Sequence, residues 1–388
     1  MNVLNQTFAV FRYLISTWRR SWGGAASTTL GFMLVAATLI ATQNLAAGIS
    51  DLWHRSGEKD IAIILSASAF SEMNSRVPAS AIAALRQAPG LAGGTPIMPE
   101  FVGSTTLFKR SNASPVTVVV RGIHPETSTV SSPLLAGRRF TAGKDEIIVG
   151  DAVAAQMRDG SIGSALRVGN RRMEVVGILD GAGGLAASEI HGDGVTVADA
   201  LGAPNQWSIV KVKLADASRF AAFASYLETI PGLNVSTLRE SELYARQGAR
   251  LRDIVMVPGV LLVVLMAIAA CLGAVNTLQS AVLSRLRELA TMRAIGFSGG
   301  PLVIGLLMEA GSLALVGASL GAALTAAVLG NATLITSTGM HAVAISMHVT
   351  AMSVAIALGA STLVGVIGGL WPALNAMRAN VVEGLRAA

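Results

Sequence analysis

Three stretches of this chain carry almost no charge, and they decide what it can fold into. Residues 21–50 and 254–284 contain no Asp, Glu, Lys or Arg, and between 294 and 377 the only one is Glu309. A bilayer's hydrocarbon core is about 30 Å thick and takes about 20 apolar helical residues to cross. The third stretch is long enough for two crossings, with a polar break rich in Asn, Thr, Ser and His at 330–349. The spacing predicts an α-helical membrane protein with four transmembrane helices, at 23–50, 251–284, 300–329 and 350–374. A cleaved leader is the alternative for the first. Against it, about 20 residues precede the run, which is longer than the roughly 7–15 residues of a leader's apolar core.

Charge gathers elsewhere. The chain as a whole is 13% charged, about half of the roughly 25% usual in soluble domains. Residues 51–253 hold 21 Lys+Arg and 20 Asp+Glu, whereas the other 185 residues hold eight Arg, no Lys and three Glu. Residues 51–250 therefore read as a water-soluble domain between the first and second spans. The net charge of +6 and the pI near 10.0 give no nucleic-acid surface, because no basic stripe stands alone on a soluble face. Arg12, Arg19, Arg20, Arg285, Arg287, Arg293, Arg378 and Arg386 all fall on one side if both termini face the cytoplasm, and the loop at 330–349 has no Lys or Arg. The 51–250 domain is then extracytoplasmic. The single Cys271 lies in an apolar run, which excludes an internal disulfide and favours a packing role.

Leu4, Phe8, Phe11, Ile15 and Trp18 recur at steps of three and four. They predict a helix over 1–22, either lying on the inner membrane face or continuing into the first span, with Gly23-Gly24 favouring a bend. In the outer block, 61–65, 116–123, 146–149, 173–179 and 209–214 read as strands. Gly169-Asn170 reads as a hairpin turn, and 78–87 and 218–229 as helices. The mixture predicts an α+β domain of two subdomains with a boundary near Gly181–Gly184. Residues 238–253 read as helix leading into the second span. Beyond that span, 285–299 forms a short charged helix, with Gly296 as its C-cap and Ser298 opening the third span. The break at 330–349 reads as an outer loop, and 375–388 as a cytoplasmic tail.

Motifs for catalysis are weak. Gly137 to Lys144 resembles a phosphate-binding loop, but it has one residue too many between its glycines and Asp145 where Ser or Thr belongs. Gly317-Ala-Ser319-Leu-Gly321 fits a nucleophile elbow, yet it sits inside an apolar span. There it reads as small residues that let helices approach, as do Gly365 and Gly369 in the last span. The five histidines, His54, His124, His191, His341 and His348, lack the spacing of a helical metal pair. Glu309 is the one charge inside a span. It reads either as a buried pivot paired with an arginine such as Arg293, or as a carboxylate near enough to the inner interface to stay hydrated.

One span, a large outer domain, three more spans and a charged inner helix make a recognisable layout. That inner helix carries Arg285, Arg287-Glu288 and Arg293-Ala-Ile-Gly296. Glu309 and Gly317 follow in the next span, then Pro372-Ala373, Ala376 and Glu383-Gly-Leu-Arg386. The outer block carries Gly122-Ile-His-Pro125, Leu135-Ala-Gly-Arg138-Arg-Phe140, Ile148-Val-Gly150 and Val175-Val-Gly-Ile-Leu179. In this order the chain resembles the MacB/FtsX-like permeases of ABC transporters. It departs in the tail, where Val381 replaces the family's Pro and Gly384 its Ala. The resemblance implies a permease subunit without a fused ATPase, in the cell inner membrane. Two such chains would pair, as homo- or heterodimer, above two copies of a cytoplasmic ABC ATPase that binds ATP and Mg. Arg285, Arg287, Glu288, Arg293 and Gly296 would form the coupling helix. The implied function is export or extraction of a hydrophobic substrate (drug, peptide, lipid or lipoprotein) by mechanotransmission, with a periplasmic adaptor and outer-membrane channel as further partners. The alternative is regulation of an extracytoplasmic partner such as a cell-wall hydrolase. No catalytic residue, metal or cofactor is expected on this chain, and no nucleic-acid partner; membrane lipids surround it.

Overall fold

The computed structural model describes residues 3–16, 22–54, 56–91, 97–124, 133–181, 184–330, 333–338 and 341–378. In chain order these form α1 (Val3–Ser16), α2 (Trp22–His54), β1 (Ile61–Ser66), α3 (Ala79–Leu85), β2 (Met98–Phe108), β3 (Pro115–Ile123), β4 (Leu134–Gly137), β5 (Glu146–Gly150), α4 (Asp151–Gln156), β6 (Ala165–Val168) and β7 (Arg171–Leu179). Then follow β8 (Glu189–Asp193), α5 (Gly194–Ala200), β9 (Ile209–Lys213), α6 (Phe220–Glu228), β10 (Val235–Arg239), α7 (Glu240–Ser284), α8 (Leu286–Ala294), α9 (Gly299–Leu329), β11 (Thr333–Thr338), β12 (His341–Ser346) and α10 (Ala351–Arg378). Two compact units result. The helical unit takes Met1–Ala46, Ile254–Ala332 and Met347–Ala388, and the sheet unit takes Ala47–Asp253 and Thr333–Ser346.

In the helical unit, α2, α7, α9 and α10 are each long and apolar enough to cross a membrane. Glycines set how closely they approach. A Cβ on Gly317 would meet the Thr29 carbonyl oxygen at 2.4 Å, and one on Gly321 the Met33 carbonyl at 2.3 Å, so α9 lies backbone to backbone on α2. Gly365 and Gly369 face Ala314 and Ala310 in the same way, at 2.6 and 2.8 Å, and bring α10 onto α9. Thr28 Oγ1 donates to Thr277 Oγ1 at 2.9 Å and ties α2 to α7. Much of α7 between Ile254 and Leu272 presents exposed Ile, Val and Leu.

The sheet unit is built on a sheet of order β10-β1-β9-β2-β3-β8-β5-β7-β4, with β6 beside β7. Neighbours are antiparallel except β3 with β8 and β5 with β7. Alternation along the strands sorts the side chains. Phe101, Val118, Val120, Ile147 and Ile190 pack into one apolar cluster with α4 and α5. Val210 and Val212, in register on the same face, pack a second cluster against α3 and α6. Two apolar clusters thus form on one continuous sheet; residues 182–183 of the expected subdomain boundary lie outside the described residues.

Several sequence expectations need correction. The segment 330–349 is not a plain loop: β11 and β12 pair as a hairpin, and Ala344 enters the larger apolar cluster of the sheet unit. Residues 238–239 belong to β10, and helix starts only at Glu240. The charged helix expected over 285–299 is shorter, Leu286–Ala294, with Arg285 at the break after α7. Pro372 lies inside α10, which continues to Arg378. The expected helix at 218–229 begins as a 3-10 turn, capped by Asp216 accepting from the Ser218 N–H.

Candidate functional site

Five coupling residues, Arg285, Arg287, Glu288, Arg293 and Gly296, were singled out in the sequence. The structure gathers them around α8, at the end of the helical unit where α1, α9 and α10 also meet. An apolar cluster of Val10, Leu14, Val282, Leu289, Leu302, Leu306 and Ala373 joins all of these elements. The helix α1 contributes Thr7, Val10 and Leu14, which are buried, while Phe8 is 65% exposed. Of the periodic stripe in the sequence, Phe8 is exposed and Phe11 half-buried, while the side chains of Leu4 and Ile15 lie outside the described residues. The inward face is the i, i+3, i+7 set that packs over Gly305, where a Cβ would stand 2.6 Å from Val10 Cγ1. Trp18 lies outside the described residues.

Most of the coupling residues turn inward. The Arg285 guanidinium is buried and pairs with Glu309 at 3.5 Å. The arginine that pairs with Glu309 here is thus Arg285, where the sequence had suggested one such as Arg293. Arg293 donates to the Met377 carbonyl at 3.0 Å and so pins α8 to the end of α10. Arg285 stands at the α7–α8 break and Arg293 two helical turns further on. Glu288 accepts a hydrogen bond from the Tyr13 hydroxyl of α1. Glu309 is 3% exposed, so it is no water-facing carboxylate; an ion pair holds it.

The exit from α8 is set by Gly296, at φ 100°. The Gly296 N–H bonds to the Arg293 carbonyl and the Phe297 N–H to the Met292 carbonyl, both within 3.1 Å. This pair of bonds closes a helix end through a left-handed residue, which only glycine adopts without strain. Ser298 is the N-cap of α9, but its side chain makes no capping bond. Its N–H and hydroxyl instead donate to Gln6 Oε1 of α1, at 3.4 and 3.3 Å. What α8 leaves outward is Arg287, Thr291, Ala294 and Ile295, the last 70% exposed.

The structure also shows a site that the sequence gave no sign of. On the sheet face opposite both apolar clusters, Arg121 of β3 bonds three carboxylates, Glu72 at 3.0 Å, Glu100 at 2.8 Å and Glu189 at 3.0 Å. His191 Nε2 is 2.9 Å from Glu189. Lys211 pairs with Glu100 at 3.5 Å and with Glu240 at 3.0 Å, and Tyr244 donates to Glu72 at 3.2 Å. All of these side chains are buried. Burial by itself would raise the Glu189 carboxyl, but Arg121 and His191 outweigh it and hold it well below the usual carboxylate range. Burial opposes the charge on Lys211, and Glu100 prevails and raises it. Burial, then Glu72, pushes the Tyr244 hydroxyl up. Trp53, from the end of α2, packs on Tyr244 with ring centroids 5.8 Å apart and covers Gly248. The first turns of α7 are thus fastened to the sheet by a largely ionic joint, and Trp53 of α2 packs on those turns.

The remaining motifs are structural. Arg138, in the loop that resembled a phosphate-binding turn, makes two bonds to Glu146 at 2.7 and 2.9 Å, and Thr141 N–H adds a third at 2.9 Å. Ser319 donates to the Leu315 carbonyl inside α9 and has no nucleophile's surroundings. Among the described residues no three His, Cys, Asp or Glu side chains converge as a metal site. Pro125 and Glu383 to Arg386 lie outside the described residues.

Comparison with known proteins adds the following. Residues 25–230 match the family model of a MacB-like periplasmic core domain, and residues 260–381 that of an FtsX-like permease C-terminal region. Among solved structures, the extracellular domain of the noncanonic ABC-type transporter YknZ from Gram-positive bacteria is 17% identical, with a TM-score of 0.35, over 46% of this chain and 100% of that one. The periplasmic region of MacB from Actinobacillus actinomycetemcomitans is 14% identical, with a TM-score of 0.38, over 50% of this chain and 95% of that one. No curated protein matches.

Proposed function

The chain belongs to the MacB/FtsX-like ABC transporter permeases, and from that premise we propose that it is the membrane subunit that turns a partner's ATP hydrolysis into movement of an extracytoplasmic domain. The four apolar helices cross the membrane, both termini face the cytoplasm, and an ABC ATPase carries the ATP and Mg. The observation that carries this reading is the construction of α8. Three of its polar residues, Arg285, Glu288 and Arg293, are spent on α9, α1 and α10, so the helix is braced from three sides. Its exposed strip of Arg287, Thr291, Ala294 and Ile295 is left to a partner.

A push on that strip enters α9 through Gly296 and Ser298 and enters α7 through the Arg285 break. Because α7 is one continuous helix from Glu240 to Ser284, it is the covalent route toward the ionic joint. Motion of this kind suits export or extraction of a hydrophobic substrate by mechanotransmission, with two permease chains over two ATPase copies.

The test is stimulation of the partner ATPase in a reconstituted complex. Arg287→Glu and Ile295→Asp, on the exposed strip, are expected to lower stimulation at least about tenfold, a loss of about 1.4 kcal/mol or more. Circular dichroism of the same variants should match wild type. Stimulation at the wild-type level by both variants refutes the lever.

A further inference from the structure

A second surface of the sheet unit has chemistry that this function does not use. A cleft of about 520 Å³ opens between the end of β2, the segment after α4 and the β6–β7 hairpin. Arg158, Arg167, Arg171 and Arg172 line it, and Asp159 is its one acidic residue. Arg171 pairs at 3.1 Å with Asp145, which stands outside the lining. Subtracting both aspartates leaves two positive charges without a counter-charge. Among the described residues no carboxylate pairs with Arg158, Arg167 or Arg172.

Two of these arginines are placed at a cost. Arg167 and Arg172 are register partners across the antiparallel β6–β7 pair. Like charges directly opposite each other on neighbouring strands destabilise a sheet, since their Cβ atoms are only about 4.5–5.5 Å apart. The turn that joins the strands is rigid. Gly169, at φ 57°, approaches the Ala200 carbonyl so closely that a Cβ would stand 2.0 Å away, and Asn170 N–H bonds to the same carbonyl at 3.0 Å. Thr105 Oγ1 of β2 donates to the Arg167 carbonyl at 2.9 Å, and Arg158 N–H donates to the Phe108 carbonyl at 3.0 Å. The walls are therefore tied together before any ligand arrives, which lowers the ordering cost of binding. Phe108 stands 52% exposed at the rim.

We infer that this cleft binds a dianionic phosphate group. Guanidinium forks match phosphate oxygens in pairs; Arg172 supplies one fork, Arg167 its terminal N–H groups while its Nε donates to the Gly169 carbonyl at 3.2 Å, and Arg158 a further fork from the other wall. The bound dianion cancels the two unmatched charges and relieves the cross-strand repulsion. A soluble diphosphate and a phosphomonoester lipid headgroup share this chemistry, and the exposed Phe108 ring could receive the apolar part of the second.

The experiment uses the full chain in a neutral detergent, titrated calorimetrically with pyrophosphate and with dioctanoyl phosphatidic acid, and with dioctanoyl phosphatidylcholine as control. Pyrophosphate is expected to bind, at least about tenfold more weakly in Arg167→Gln/Arg172→Gln, with affinity falling as salt rises. Binding of phosphatidic acid alone, lost in the same variant, assigns the headgroup as the source. The double variant should also melt above wild type without ligand, since it removes the like-charge pair, and pyrophosphate should raise the wild-type melting temperature only. That gain shows the variant folded. Failure of both phosphates to bind, or equal binding by wild type and variant, overturns the inference.

Discussion

Single residues carry most of the consequences around α8. Glu309 and Arg285 are both buried and paired, so removing one strands the other's charge. Such a loss costs about 3–5 kcal/mol, whereas replacing both partners by apolar residues of similar volume is often close to neutral. Glu309→Ala is therefore expected to lower the detergent melting temperature sharply, and Arg285→Met/Glu309→Leu to restore most of it. A single and a double variant that melt alike would show that the pair holds nothing together. In the sheet unit, Glu146 is lowered to about 2, first by its bonds to Arg138 and then by the Thr141 N–H. Its carboxyl is depressed in the folded state, so it adds stability above the ordinary carboxylate value of about 4.5 and loses that contribution as pH falls toward about 2. Wild-type melting temperature should drop across that window more steeply than that of Glu146→Gln. Parallel curves would refute the assignment.

Among the elements, glycines separate two kinds of apolar helix position. Gly321 on α9 lies against the Met33 backbone, which cannot retreat, while Gly359 on α10 has nothing within 4 Å of an added Cβ. Gly321→Ala is expected to cost at least about 1–3 kcal/mol by overpacking, and Gly359→Ala to stabilise by up to about 1 kcal/mol through helix propensity. Equal melting temperatures for the two would mean that the backbone contact is not tight. The sequence shows small residues at both places and cannot tell them apart; only the neighbouring helix does. The same limit explains the strands that sequence reading passed over. β8 reads Glu-Ile-His-Gly-Asp and is buried throughout, because its charges are met by Arg121 and its helix-facing neighbours. Hydrophobic alternation cannot mark a strand whose inner side is ionic. β2, with Pro99 and Gly103 inside it, lacks the β-branched run that marked β3, β7 and β9. The Gly169-Asn170 turn and the Gly296 helix end were legible, since each depends on a local backbone need that glycine meets. The pairing of Arg285 with Glu309 was not, since it depends on where α7 breaks.

For the molecule as a whole, the chain passes between its two units at four points, after Ala46, Asp253, Ala332 and Ser346. The β11–β12 hairpin belongs with the sheet unit, so both connections of that hairpin, like those at 46 and 253, are expected on the outer side of the membrane. The outward strip of α8 is expected on the other side. Single cysteines at Ile295 and at Asp159, placed in a Cys271→Ala background, test this directly with an impermeant thiol reagent on intact cells. Asp159→Cys should label without permeabilisation and Ile295→Cys only after it. Labelling of Ile295→Cys from outside would refute this topology and remove α8 from reach of any cytoplasmic ATPase. The three uncharged stretches made the four long apolar helices legible from charge alone. The ionic joint at the first turns of α7 was invisible, because its members are scattered from Glu72 to Tyr244 and look like ordinary surface charges until the sheet collects them.

That joint has a consequence for how the sheet responds to its helices. Oily surfaces in contact can creep past each other at nearly constant energy, because burial has no preferred direction. Short charged bonds cannot, since they weaken steeply once stretched or tilted. The sheet is keyed to the first turns of α7, through Lys211 to Glu240 and through Arg121 and Glu72 to Tyr244. A displacement of those turns is therefore expected to load β3 and β9 first, as a gear train without backlash passes on the first degree of rotation.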